Sequence, residues 1–492
     1  MSKNSLPFFD NSPIETTFAG STRGLAQLVA HLLWEQGVVC SSHITPTIEN
    51  MTAVSFRRLA GVLASAILCA CSSPVGDGTA SSLFEGAVDY EEYFTPERLR
   101  LDFTLAGGRD VQYAFLDEVH KECAWAGSPN ALIDSFGYGQ YFFEAFSGEK
   151  LIFSRGFSTL FEEWRTTPQA DNVKMSSSQT LWMPFPKEKI SVVLYQRVRA
   201  TGRFEKFFEC EVDPADTHII PGAQNDFEIV PLQSKGDMAH KVDLVFSGEG
   251  YTRENLPKLV CDATSMMEYL FSMEPYKSRR EDFNVSVVLS VSRDSGVDIP
   301  QWGEWRNTIM DSSFDTFYED RYLTIMNHRK IAEVYSGVPF DALFIIADET
   351  KYGGGGIYNS YAMGTCGHPL SHEVFIHEFG HSFAGLGDEY YDSAVAYEDY
   401  YPAGVEPWEP NITNLTDFSS KWEDMLPDQT PVPTPADSSL WYGKLGVFEG
   451  AGYMAEGCYR PYMECRMFNN TAPGFCPVCR RAIERMIDFY IQ

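Results

Sequence analysis

Two hydrophobic periodicities divide the chain. Over residues 88–230 short apolar runs alternate with polar positions: Leu99, Leu101, Phe103 and Leu105 are separated by Arg100, Asp102 and Thr104, and the run stops at Ala106, Gly107 and Gly108. A repeat of two is the signature of a strand with one face buried. Residues 141–146, 151–154 and 190–195 read in the same way, and several such runs between turn residues predict a β-sandwich-like N-terminal domain over 88–232. Beyond the polar stretch 233–237 the period changes. Strand-like runs at 242–246, 284–291 and 342–347 alternate with helical patterns at 254–273 and 321–335. That alternation predicts a mixed α/β layer over 238–492, giving an α+β chain of two regions. The four prolines between residues 427 and 435 read as an extended surface loop. Tyr390, Tyr391, Tyr397, Tyr400 and Tyr401 form a cluster that serves either packing or a substrate-binding loop.

One apolar run precedes these regions. It spans residues 59–68, follows Arg57 and Arg58, and is too short to cross a bilayer. A basic start, a short apolar centre and small residues before a break make the pattern of a secretory signal. Signals sit at the start of a chain, so translation from Met51 is the simplest account, with residues 1–50 an overcalled start; a genuine N-terminal extension is the other. The break, Leu68-Cys69-Ala70-Cys71, resembles a bacterial lipobox. That resemblance implies a leader over 1–70, a lipid anchor at Cys71, a flexible tether over 71–87 and export to the cell envelope, facing the periplasm or the exterior. The competing reading is a buried helix with two incidental cysteines. Export permits disulfides among the eight cysteines that follow Cys71.

The composition is that of a globular protein, with 44% hydrophobic and 22% charged residues in 492. A net charge of −30 argues against a nucleic-acid partner.

Chemistry concentrates in one segment, His377-Glu378-Phe379-Gly380-His381. On a helix, histidines four apart project from one face and reach a single ion, with the acid beside them. Composition alone produces about 0.03 such matches in a chain of this make-up. Phe375, Phe379, Phe383 and Leu386 fall on the opposite face, so the helix is apolar on one side and metal-bearing on the other. Neutral imidazoles suit Zn2+, and Glu378 is placed to act as general base toward a zinc-activated water. A catalytic zinc site takes a third protein ligand. Gly385 and Gly387 turn the chain back, and Asp388 is preferred over Glu389 and Glu449 because its shorter side chain is easier to hold rigid. His368 and His372 read as residues of the loop and helix start.

The run from His377 through Asp388, Glu389, Tyr390 and Tyr391 resembles the signature of the bacterial IgA-peptidase family of zinc metallopeptidases. Phe475-Cys476-Pro477-Val478-Cys479, the glycines at 353–356 and the β-rich front region resemble that family too. The resemblance implies a family-specific β-domain followed by a zincin-like catalytic domain, with His377 and His381 as zinc ligands and Glu378 as general base. Ala384 and Gly387 stand where wider metzincins carry a glycine and a third histidine. Cys465-Arg466-Met467 resembles the metzincin methionine turn, or is an ordinary core segment. Cys458, Cys465, Cys476 and Cys479 fit a second zinc, a redox pair or disulfides, and export favours disulfides. The glycine run reads either as an edge strand that pairs with an extended substrate or as a flexible loop.

These readings converge on a lipid-anchored zinc endopeptidase acting on extracellular or host proteins, immunoglobulin among them. The alternatives are a surface-anchored protein- or glycan-binding lipoprotein with a vestigial metal site, and hydrolysis of an amide outside proteins.

Overall fold

The computed structural model describes residues 87–391 and 401–492. The leader, the lipobox at Cys71, nearly all of the tether, and Tyr397 and Tyr400 lie outside the described residues.

The front region is built from β1 (Phe94–Gly107), β2 (Gln112–Ala124), β3 (Tyr141–Ser147), β4 (Lys150–Phe157), β5 (Met175–Pro186), β6 (Ile190–Arg197), β7 (Phe204–Val212) and the short β8 (Ile220–Pro221), with helix α1 (Leu160–Arg165) after β4. Two four-stranded sheets result, ordered β5-β1-β2-β8 and β4-β3-β6-β7. One apolar cluster joins them, drawing Leu99, Leu101, Phe103 and Leu105 from β1 and Tyr141, Phe143, Phe153 and Val192 from the other sheet. The alternation along β1 therefore aims its apolar residues into a sandwich core.

Its polar face is buried as well. Arg98, Arg100, Asp102 and Glu122 are all at most 4% exposed. Glu122 accepts from the Arg98 Nε and Nη2 at 2.9 and 2.7 Å and from the Arg100 Nη1 at 3.3 Å, while Arg100 forks onto both Asp102 oxygens at 2.9 and 2.6 Å. Burial alone would raise the Asp102 carboxyl, but the hydrogen bonds from His120 and Arg100 and the Arg100 charge hold it well below the usual carboxylate range. Arg98 also donates to the carbonyls of Tyr335 and Val338 at 3.0 and 3.1 Å. The front region is thus keyed into the second one by charge-assisted hydrogen bonds.

The second region centres on a six-stranded sheet, order β13-β14-β12-β10-β11-β9, formed by β9 (Ile229–Gln233), β10 (Val242–Glu249), β11 (Phe283–Val288), β12 (Ala342–Ala347), β13 (Gly354–Ile357) and β14 (Tyr361–Thr365). β10, β11, β12 and β14 run parallel; β9 and β13 close the edges antiparallel. Helices α2 (Leu256–Leu270), α3 (His328–Tyr335), α4 (Ser371–Ala384) and α5 (Pro477–Tyr490) are connected to it, and a hairpin of β15 (Phe448–Ala451) and β16 (Met454–Arg460) follows the long loop. All six residues of β12 are buried, as its unbroken apolar run requires of a central parallel strand.

Two expectations change. Residues 229–232, placed within the β-rich domain, form with Gln233 a strand that pairs with β11 and extends the second sheet. The helical pattern over 321–335 is helical only from His328. Before it the backbone bonds sideways, Leu323 N to Gly354 O at 3.3 Å and Thr324 N to Ser313 O at 3.1 Å, so cross-strand partners displace a local helix. The glycine run is strand β13, whose Gly354 is bridged on its outer edge by Tyr322. A Cβ on Gly356 would lie 2.3 Å from the carbonyl oxygen of Glu378, so glycine here lets the edge strand close onto α4.

Removing Glu122 would leave the buried Arg98 guanidinium without a carboxylate, while Arg100 keeps Asp102. Glu122→Ala is expected to lower unfolding stability by about 3–5 kcal/mol, read by chemical denaturation at neutral pH.

Candidate metal centre

α4 is held by its aromatic face. Phe375 meets Phe344 edge to face with centroids 4.5 Å apart, and Phe379 stacks on Phe383 at 5.1 Å. Phe375, Phe379, Phe383 and Leu386 are buried in the core as the helical spacing requires. His377 and His381 emerge from the other side, one turn apart. The helix ends at Gly385, whose φ of 64° is left-handed, and Leu386 N reaches back to Gly380 O at 3.2 Å. Glycine is the residue that takes this conformation without strain. Asn411 then clamps the next residue, accepting from Gly387 N at 2.7 Å and donating to Gly387 O at 2.9 Å.

That turn brings Asp388 back over the helix. Its Oδ1 lies 3.0 Å from the His377 Nε2 and 3.3 Å from the His381 Nε2, and the two Nε2 atoms are 3.1 Å apart. Tyr453 donates its hydroxyl to Oδ2. The Nδ1 of His377 faces Arg466 O at 3.1 Å and that of His381 faces Leu386 O at 2.5 Å. A carbonyl only accepts, so each neutral ring carries its proton on Nδ1 and turns an Nε2 lone pair inward. Asp388 Oδ1 is itself buried without a hydrogen-bond donor. Three donor atoms thus converge on one point, an arrangement that a bound cation or a proton relieves. Burial lowers the His381 value, but the Asp388 carboxylate outweighs it and lifts it to about 9, so without an ion the site holds a proton that a metal would displace. Two imidazoles and a carboxylate within 4.8 Å of one another are a donor set suited to zinc.

Of the other acids weighed for this set, Glu389 points away toward Cys479, and Glu449 accepts from Gly457 N at 3.1 Å on the surface. His372 bonds Ser265 and His368 packs on Tyr352, both outside the set. Glu378 also stands outside it and lines the adjoining cleft. Burial raises its carboxyl, with the two histidines opposing. Met467 lies beneath the helix, its Sδ 3.0 Å from where a Cβ on Gly380 would sit.

The cleft has a volume of about 480 Å³, and its walls come from both regions. Glu163 of α1 and Arg199 enter it from the β-domain, a part of the chain in which no chemical constellation was legible. Tyr322 donates to Glu163 Oε2 at 2.7 Å, and burial pushes this carboxyl up to about 7. Asn411, Tyr453 and Glu163 carry no local motif; only the folded chain collects them. The disulfides favoured for the C-terminal cysteines are not formed. All eight described cysteines are free, and the Cys465 and Cys479 sulfurs are 3.7 Å apart.

Comparison with protein families gives two matches. Residues 230–442 and 437–487 match the model of IgA Peptidase M64, and residues 89–209 match that of the Peptidase M64 N-terminus. No curated protein matched the chain. The family model covers more than half of the sequence, and its companion covers most of the sandwich. The chain therefore belongs to the IgA-peptidase M64 family, a family of metallopeptidases.

Proposed function

We propose that this protein is a zinc-dependent endopeptidase in which His377, His381 and Asp388 hold the ion and Glu378 is the general base. The observation that carries the reading is the meeting of two imidazole Nε2 atoms and a carboxylate oxygen at the floor of a cleft that Glu378 also lines. A zinc ion held there supplies Lewis acidity, polarising the scissile carbonyl and acidifying water. The chain's own groups do the rest. Arg466 O and Leu386 O fix the imidazole tautomers, and the Tyr453 hydroxyl steadies Asp388 through its second oxygen. The Glu378 carboxylate takes a proton from the attacking water and returns it to the leaving amine nitrogen. Its partly desolvated position supports this role, because a raised carboxyl shares a proton more evenly near neutral pH.

Access from both regions suits an extended polypeptide lying across the cleft, with the β-domain contributing to specificity through Glu163 and Arg199. The lipobox-like segment ending at Cys71 supports anchoring of the enzyme at the cell envelope, where extracellular or host proteins are its substrates. The family description makes immunoglobulin A the first of these to test.

Glu378→Gln is expected to lower proteolysis of a generic protein substrate by about 10²–10⁴-fold while leaving bound metal unchanged. Cleavage at the wild-type rate in a chelator-sensitive assay would refute the mechanism. An inert wild-type protein with a metal-loaded site would instead favour a binding lipoprotein.

Glu163 has a folded value of about 7 against an ordinary 4.5, so the fold favours its protonated form. Its contribution is full below about 4.5 and is lost as pH rises through about 7. Thermal melts across that interval should show wild type losing about 1–3 kcal/mol relative to Glu163→Gln, which lacks the slope.

A further inference from the structure

Beneath the metal centre lies a second cluster. Cys465, Cys476, Cys479 and Glu389 are each at most 2% exposed, and one ligand atom from each lies within 4.8 Å of all the others. We propose that these four residues bind a second, structural zinc ion.

The spacing fits four ligands gathered about a common centre. Zinc bonds of about 2.3 Å to sulfur and about 2.0 Å to oxygen separate the ligand atoms by about 3.8 Å for sulfur pairs and about 3.5 Å for sulfur and oxygen. Here the Cys465 and Cys479 sulfurs are 3.7 Å apart, and Glu389 Oε1 lies 3.1 Å from the Cys479 sulfur and 4.0 Å from that of Cys476. A disulfide needs sulfurs at about 2.05 Å, so the arrangement is not a loosened bridge. Protein groups alone also leave the cluster unsatisfied: Glu389 Oε2 is fully buried without any hydrogen-bond partner. A buried carboxylate in that state is costly unless it is paired or coordinates a metal.

Backbone donors and a helix end face the sulfurs, while burial alone holds the Cys465 and Cys479 thiols in their protonated form. Cys476 caps the 14-residue helix α5, and Cys479 is in its first turn, where the helix dipole stabilises negative charge. Cys476 N donates to the Cys465 sulfur at 3.3 Å and Cys479 N to the Cys476 sulfur at 3.5 Å. Asn411 Nδ2 donates to Glu389 Oε1 at 3.0 Å, offsetting part of the excess negative charge. Three soft sulfur ligands and one carboxylate select zinc over magnesium or calcium. The thiols give up their protons to solvent as the ion binds.

Such an ion would tie together three segments that shape the catalytic floor. Glu389 adjoins Asp388, and its N bonds Met467 O at 2.9 Å. Cys465 adjoins Arg466, whose carbonyl orients His377. Cys476 and Cys479 anchor α5. The ion acts as a positioning element for Asp388, not as a participant in the reaction.

The test is metal analysis of the full chain with its native zinc. Two zinc ions per chain are expected, with a sulfur shell at about 2.3 Å in X-ray absorption. The double variant His377→Ala, His381→Ala should keep one ion, released by a thiol-specific mercurial, and cobalt exchanged for it should give an intense sulfur-to-metal charge-transfer band. Cys479→Ser should lose that ion and weaken metal binding at the histidine site by about 10–100-fold. Because a cysteine variant can misfold, the wild-type absorption spectrum and mercurial release decide the matter. Absence of a sulfur shell in the zinc-loaded wild type, or a disulfide among Cys465, Cys476 and Cys479 in protein prepared without reductant, would overturn the inference.

Discussion

The structure turns on the three-residue reversal at Gly385, Leu386 and Gly387. The helix before it must bury a phenylalanine face in the core, and its opposite face must meet a carboxylate that lies later in sequence. Only a left-handed residue followed at once by a close backbone approach brings Asp388 within 3.0 Å of His377. A side chain at residue 387 would strike Ile412, with a Cβ only 2.7 Å from its Cγ1, and so would push the turn off the Asn411 clamp. The Cys465-Arg466-Met467 segment, the β15–β16 hairpin that brings Tyr453, and the first turn of α5 are arranged around the result.

Much of this was readable in the residues because it is local. The His377, Glu378 and His381 spacing is a property of a single helix, and the stripe of Phe375, Phe379 and Phe383 announces which side is inward. The strand at 342–347 has the expected bounds, since six consecutive apolar residues leave a central strand little freedom. Where the reading failed, long-range pairing had overridden local pattern. Residues 321–327 carry a helical pattern but spend their backbone groups on Gly354 and Ser313. Residues 229–232 were placed with the β-rich domain because their partner, β11, lies some fifty residues on.

The residues that were missed share one property: their role exists only after the chain has closed. Asn411 and Glu163 look like ordinary polar positions in sequence, yet one clamps the metal-bearing turn and the other enters the cleft from a different domain. The cysteines illustrate the same limit. Export and spacing argued for covalent pairing, while the fold gathers three sulfurs and a carboxylate around one point.

The charged face of β1 has a consequence for how the molecule could be divided. Severing the chain between its two regions would leave Arg98 without the carbonyls of Tyr335 and Val338, and would open to water the contact of Trp182 with Phe340. The sandwich is therefore not a portable module attached to a protease. Its inner seam is bonded to the end of α3 through Arg98, so a change there is felt in both regions.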